Sequence, residues 1–297
     1  MNIMAEKKIT GTGVAIVTPF RKDGSVDFKS LEKLVDFLVS KGVNYLVVLG
    51  TTGETPVLTK DEKQAIVNQV IEVNNKRIPI VQGLGGNNTL EIVHALQNCK
   101  FEGIDALLSV TPYYNKPGQE GLYQHYKAVA NASPLPVILY NVPGRTGTNL
   151  ATETTVKLAK EFGKQFIAVK EASGNMLQIM NILKDKPATF QVISGDDALA
   201  FPLIILGSSG VISVVANAFP GEISTMVRLM LDGKFIEARK IHFKMLPVIE
   251  LAFAEGSPTG IKAFLDVMGI VPNYLRLPLV SASKELYKKI ELAVKNF

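Results

Sequence analysis

An amine stands at the end of an apolar run in this 297-residue chain: Phe166-Ile167-Ala168-Val169 leads directly into Lys170-Glu171. Burial disfavours the charged form of an amine, and an uncharged lysine is a nucleophile able to form a Schiff base with a carbonyl compound. The opposing reading pairs Lys170 with Glu171 or lets its ammonium snorkel to the surface. Other run-ends carry compatible groups. Gly50-Thr51-Thr52-Gly53-Glu54 offers two hydroxyls and several backbone amides suited to a carboxylate or phosphate, or else a helix start capped by a threonine. Thr111-Pro112-Tyr113-Tyr114 is either a stiff loop presenting phenols or an aromatic packing contact. In Tyr140-Asn141-Val142-Pro143-Gly144-Arg145 a phenol can give and take a proton. The arginine beyond it forks onto a carboxylate or sits in a surface ion pair.

Several other chemistries fail on spacing. His94, His125 and His242 are far apart, Cys99 is the single cysteine, and Ser194-Gly195-Asp196-Asp197 brings no further ligand, so no metal site is expected. Capping of a helix over 196–206 is the expected role of the two aspartates. Gly83-Leu84-Gly85-Gly86 lacks the third glycine of a dinucleotide fingerprint, and Gly207-Ser208-Ser209-Gly210 is not a serine-hydrolase elbow. No cofactor is expected.

These groups need a scaffold, and the chain supplies a regular one. Apolar runs of strand length fall at residues 14–17, 45–49, 78–81, 106–108, 136–140, 166–169, 190–193 and 210–214. They are continuous rather than alternating, as parallel strands covered on both faces require. Between them lie helical segments with readable faces and ends. Leu31, Leu34, Val35 and Leu38 share one face closed by Gly42; Thr59 and Glu62 have capping-box spacing; Asn88 with Glu91 and Asn175 with Gln178 repeat the logic. Eight consecutive βα units suit a closed (β/α)8 barrel better than a doubly wound open sheet. Residues 1–297 read as one domain, with the barrel over 11–232 and a C-terminal helical extension over 233–297. In either fold, function sits where strands end, which is where every motif above falls. Gly210, at the start of the eighth run, is expected to allow close approach of a ligand.

Composition bounds the partners. Hydrophobic residues make up 47% and charged residues 20%, the balance of a globular chain with a sizeable core. The most apolar stretch, 198–206, is far short of the roughly 20 residues that span a bilayer, so no membrane association is expected. The net charge of +5 is dispersed, without a basic stripe, which argues against nucleic acid and leaves a general field favouring small anions. A single cysteine excludes an internal disulfide, and residues 1–8 show no apolar signal core, so a cytoplasmic location is expected.

Taken in order over residues 11 to about 215, the Gly50–Glu54, Thr111–Tyr114, Tyr140–Gly147, Val169–Ala172 and Gly195–Asp197 segments resemble the pyruvate-dependent class I aldolases, the N-acetylneuraminate lyase family. The helical C-terminal part fits as well. The resemblance implies that Lys170 forms the Schiff base with pyruvate and that Tyr140 donates and accepts the proton beside it. It implies that Thr51 links Tyr140 to Tyr114 in a proton relay, with Tyr114 reaching in from a neighbouring subunit. Thr52 would bind the pyruvate carboxylate, Arg145 the carboxylate of the incoming aldehyde, and Gly195 and Ile212 would supply backbone contacts near pyruvate. Arg145 points to the branch whose acceptor is L-aspartate 4-semialdehyde, at the committing step of diaminopimelate and lysine biosynthesis. Sugar-acid aldolases of the family usually differ at Pro143-Gly144-Arg145. The alternatives are such a sugar-acid aldolase, or a barrel that binds a keto acid without turning it over. The family resemblance further implies a homotetramer built as a dimer of dimers.

Overall fold

In the computed structural model, which describes residues 9–297, eight strands close on themselves in chain order. The reading of residues 1–8 lies outside the described residues. The strands are β1 (Gly11–Ala15), β2 (Tyr45–Val48), β3 (Ile80–Gly83), β4 (Ala106–Val110), β5 (Val137–Asn141), β6 (Phe166–Glu171), β7 (Gln191–Ser194) and β8 (Gly210–Ser213). Each pairs in parallel with the next, and β8 pairs with β1. Helices Phe28–Ser40, Lys60–Asn74, Thr89–Asn98, Gln119–Ala132, Thr152–Glu161, Met176–Asp185, Ala200–Ile205 and Pro220–Leu231 follow the strands in turn. Three more, Phe235–Phe253, Thr259–Val267 and Lys284–Lys295, come after them. This is a (β/α)8 barrel with additional C-terminal helices.

The continuous apolar runs follow from two separate cores. Alternate residues such as Val47, Leu108, Ile138, Ala168, Ile193 and Ile212 fill the barrel interior. Their neighbours Leu46, Leu107, Leu139, Val169, Val192 and Val211 face the helices. Because side chains on a strand alternate with a period of two, the parity of a position decides which core it enters. Tyr140 and Lys170 share the parity of Ile138 and Ala168.

The helix signals hold in detail. Leu31, Leu34, Val35 and Leu38 are the buried positions of their helix, and Gly42 follows the C-cap residue Lys41 at φ +81°. Thr59 and Glu62 form a complete capping box, Asn88 accepts from the Leu90 and Glu91 N–H groups, and Asn175 accepts from Gln178 N–H.

Three local readings need correction. The first strand begins at Gly11 rather than at residue 14, because Gly11 and Gly13 bring no side chain to the apolar pattern. A Cβ on Gly13 would fall 2.2 Å from the Tyr45 ring. Gly210 is required by the close approach of a neighbouring strand: at φ +149°, a Cβ there would lie 1.9 Å from the Gly11 carbonyl oxygen, where β8 meets β1. The aspartates do not simply cap a helix over 196–206. Asp196 accepts from the Ala198 and Leu199 N–H groups in a turn, and the helix starts at Ala200. Asp197 turns away and accepts from Ser213 Oγ and from the Val214 N–H at 3.0 Å, tying the segment after β7 to β8.

Candidate active site

Strands β5 and β6 set the centre of the site. Their register pairs Tyr140 with Lys170 and Asn141 with Glu171, and Lys170 is in turn paired with Ile193 of β7. Strand alternation sends Tyr140 and Lys170 into the barrel, where they are 6% and 5% exposed. Lys170 Nζ lies 4.3 Å from the centroid of the Tyr140 ring. Glu171 goes to the opposite face. Its carboxylate accepts from Asn141 Nδ2, Ser173 Oγ and, at 3.4 Å, Gln178 Nε2. Lys170 therefore neither pairs with Glu171 nor reaches the surface. Burial pushes the Glu171 carboxyl above the ordinary range, against the pull of the Ser173 and Asn141 hydrogen bonds. Asn141 in turn accepts from Leu150 N–H at 2.9 Å and donates to Asn149 Oδ1 at 2.9 Å. This polar network grips β5 and β6 one residue beyond the Tyr140–Lys170 pair.

The walls around the amine are small or apolar. Gly195 follows β7, and its N–H donates to the Glu171 carbonyl at 2.7 Å. A Cβ on Gly195 would fall 2.7 Å from Ala172 Cβ and 3.0 Å from Lys170 Cε, so a side chain here would displace the lysine. Ile212 is fully buried in the interior core with Tyr140 and Ile193.

The remaining residues sit on loops beyond the strand ends. Thr51 and Thr52 occupy a 3-10 turn, Thr51–Gly53, that follows β2 and ends in Glu54 at φ +54°. Thr52 is buried and Thr51 half-buried. Thr55 Oγ1 donates to the Gly50 carbonyl at 2.9 Å and Thr18 Oγ1 to the Gly53 carbonyl at 2.7 Å, holding the turn at both ends. Arg145 is exposed on the short helix Pro143–Thr146, and its Nη2 donates to the Ser257 carbonyl at 3.2 Å. Tyr114 stands apart. It is 88% exposed and adopts φ +68°, a left-handed conformation that costs a non-glycine residue about 1–3 kcal/mol. Among the described residues, no hydrogen bond joins Tyr114, Thr51 and Tyr140 within the chain. Nor does any group of three or more His, Cys, Asp or Glu side chains among the described residues stand where a metal ion could be held.

With this geometry in hand, comparison with known proteins is decisive about kinship. The chain matches the Dihydrodipicolinate synthetase family over residues 8–297. It belongs to that family. A 4-hydroxy-tetrahydrodipicolinate synthase of Parabacteroides distasonis is 56% identical over 287 residues, covering 97% of this chain and 96% of the relative. A chloride-inhibited dihydrodipicolinate synthase of Acinetobacter baumannii, solved in complex with pyruvate, superposes with a TM-score of 0.94 at 42% identity, covering 97% of this chain and 99% of that one. A dihydrodipicolinate synthase variant described as monomeric superposes with a TM-score of 0.93 at 39% identity, covering 96% of each chain.

Within this member of the dihydrodipicolinate synthetase family, sequence reasoning missed two groups beside the site. One is the Asn141–Glu171 network. The other is a buried ion pair between Glu54 and Lys262, whose side chains are both 0% exposed. A signal for the second was present: Ile261-Lys262-Ala263-Phe264-Leu265 is a lysine inside an apolar run, the same pattern that singles out Lys170.

Asp197 gives the site a pH-dependent support. Burial pushes its carboxyl up to about 6, against hydrogen bonds from Ser213, Val214 and Val215. Between the ordinary aspartate value and about 6 the native state holds a proton that the unfolded state has lost. The corresponding stability is fully present below about pH 4 and is lost as pH rises through 6, by about 3 kcal/mol in total. Denaturant titrations from pH 4 to 6 are expected to show the stability of the wild type falling relative to that of Asp197→Asn as pH rises, by about 3 kcal/mol over the range. Parallel slopes in the two proteins would contradict it.

Proposed function

We propose that the chain condenses pyruvate with L-aspartate 4-semialdehyde to 4-hydroxy-tetrahydrodipicolinate, the committing step of diaminopimelate and lysine biosynthesis. The observation that carries this reading is the Tyr140–Lys170 pair, a buried amine lying over a phenol ring at the C-terminal end of the barrel. Lys170 Nζ attacks the keto carbon of pyruvate, and loss of water leaves an iminium whose nitrogen withdraws electrons from the methyl carbon. Tyr140 gives a proton to the departing hydroxyl and shuttles the methyl proton, so that the iminium becomes an enamine. The enamine carbon forms the new bond to the aldehyde of the semialdehyde. The amino group of that substrate then attacks the imine carbon, which closes the ring and releases Lys170 as a free amine.

The surroundings support this assignment of roles. Thr51 and Thr52, with the backbone amides of their turn, offer donors to the pyruvate carboxylate. Arg145, at the mouth, presents a guanidinium to the carboxylate of the aldehyde, a charge-assisted bond worth about 1.5–3 kcal/mol. Gly195 and Ile212 close the pocket around the methyl and keto groups. Tyr114, exposed and held in a strained conformation, completes the relay through Thr51 in a neighbouring copy. A shared Tyr114 requires at least a dimer, and the likeness to the family favours a homotetramer, a dimer of dimers. The exposed free thiol of Cys99 suits the reducing cytoplasm, where we place the reaction. Among the described residues, no helix is long and apolar enough to cross a membrane.

The test offers purified protein pyruvate with L-aspartate 4-semialdehyde and, separately, with N-acetylmannosamine, and measures pyruvate consumption alongside sedimentation. Turnover with the semialdehyde alone, in a particle of at least two chains, is expected. Turnover with the sugar alone would make the protein a sugar-acid aldolase and Arg145 misassigned. Pyruvate binding with no turnover would make it a sensor, and a fully active monomer would remove Tyr114 from the relay.

A further inference from the structure

The turn that carries Thr51 and Thr52 is not held by the barrel alone. Glu54 ends that turn in a left-handed conformation, its N–H donating to the Thr51 carbonyl at 3.1 Å. Its side chain leads away from the pocket to the C-terminal helices. One carboxylate oxygen accepts from Lys262 Nζ, and the other accepts from the Arg276 backbone N–H at 3.1 Å. Lys262 also donates to the Tyr274 carbonyl at 2.8 Å and lies 4.4 Å from the Phe20 ring centroid. The Arg276 guanidinium grips the other end of the same loop, donating to the Val57 carbonyl at 2.9 Å and to the Glu62 carboxylate. Ser257, at the start of the same C-terminal stretch, accepts from Arg145.

A fully buried ion pair is weak evidence for stability, because apolar residues of similar volume often do as well or better. What such a pair does supply is position. A carboxylate fixed from two sides leaves its backbone one conformation, and here the backbone so fixed is the last residue of the turn Thr51–Gly53. Burial brings the Lys262 ammonium down to about 8, against the pull of the Glu54 carboxylate.

We infer that the Glu54–Lys262 pair positions the pyruvate-carboxylate turn, so that the C-terminal helices, though outside the barrel, help determine how tightly the first substrate binds. Glu54 and Lys262 are positioning residues and touch no reacting atom. This rests on the reading of the site given above, and the experiment separates the two.

The variants are Glu54→Leu/Lys262→Met, which removes both charges together, and Glu54→Gln, which keeps the shape and an acceptor for Arg276. Each is checked for folding by thermal melting. The folded protein is then assayed for pyruvate KM and kcat, and for the pyruvate concentration that half-saturates borohydride inactivation. The charge-free double variant is expected to melt close to the wild type, with pyruvate KM and the half-saturating pyruvate concentration for inactivation both raised roughly tenfold or more, and with kcat lowered as well because the same turn carries Thr51 of the relay. Glu54→Gln is expected to move KM in the same direction by a smaller factor, and it carries the test should the double variant fail to fold. A folded variant with wild-type KM, or one whose kcat falls while KM stays, overturns the inference and leaves the pair as a fold staple only. A wild-type protein that borohydride and pyruvate fail to inactivate overturns the reading of the site, and the inference with it.

Discussion

Lys170→Ala is expected to lose pyruvate turnover by roughly 10³- to 10⁶-fold, the scale on which removal of a covalent nucleophile acts, while the protein remains folded. The reason is geometric as well as chemical. The amine lies over the Tyr140 ring inside the barrel, and Ile193, Gly195 and Ile212 beside it carry nothing that adds to a carbonyl. Lys170→Arg sharpens the result. A guanidinium keeps a positive charge but remains protonated and is not a nucleophile at any working pH, so an electrostatic role would survive this change and a covalent one would not. Steady-state assays of both variants, with thermal melting to confirm the fold, make the comparison. Substantial activity in either would remove Lys170 from the chemistry.

The second large effect concerns the barrel rather than the pocket. Gly210→Ala is expected to cost more than about 4 kcal/mol, enough to leave little folded protein. The new methyl group would lie 1.9 Å from the Gly11 carbonyl oxygen and 2.8 Å from the Gly11 nitrogen, and backbone atoms in a closed ring of strands have no rotamer through which to yield. The conformation at φ +149° adds strain for any residue with a Cβ. Gly221, near the start of helix Pro220–Leu231, provides the control. A Cβ there meets nothing within 4 Å, and Gly221→Ala is expected to leave stability unchanged or raise it by up to about 1 kcal/mol. Denaturant midpoints of the two variants decide the matter, and a stably folded Gly210→Ala would refute this account of how the sheet closes.

Much of this molecule is readable from local pattern, and the exceptions share one cause. Apolar runs, helix faces and caps are each written in a few neighbouring residues, which is why the eight βα units and the Thr59–Glu62 capping box could be read directly. Lys170 stood out for the same reason, as a cation ending an apolar run. Gly11, Gly13 and Gly210 are different: what makes them necessary is the approach of a strand or side chain distant in sequence, and a glycine records only that nothing larger fits. Lys262 carried the right local signal. Its partner Glu54 lies 208 residues away, however, and nothing near either residue announces the other. Asn141 and Glu171 each follow an inward-facing residue of the site, yet their pairing depends on the β5–β6 register. Tyr114 marks a further limit, since its proposed role requires a second copy of the chain.

The account stands on one covalent bond. Protein incubated with pyruvate and then reduced with borohydride, digested and mapped by mass spectrometry, is expected to carry a single reduced pyruvate adduct, on the peptide containing Lys170. Lys262, buried against Glu54, should remain unmodified. An adduct on any other lysine, or an unmodified Lys170 in a protein that still consumes pyruvate, would contradict the assignment of this amine as the nucleophile.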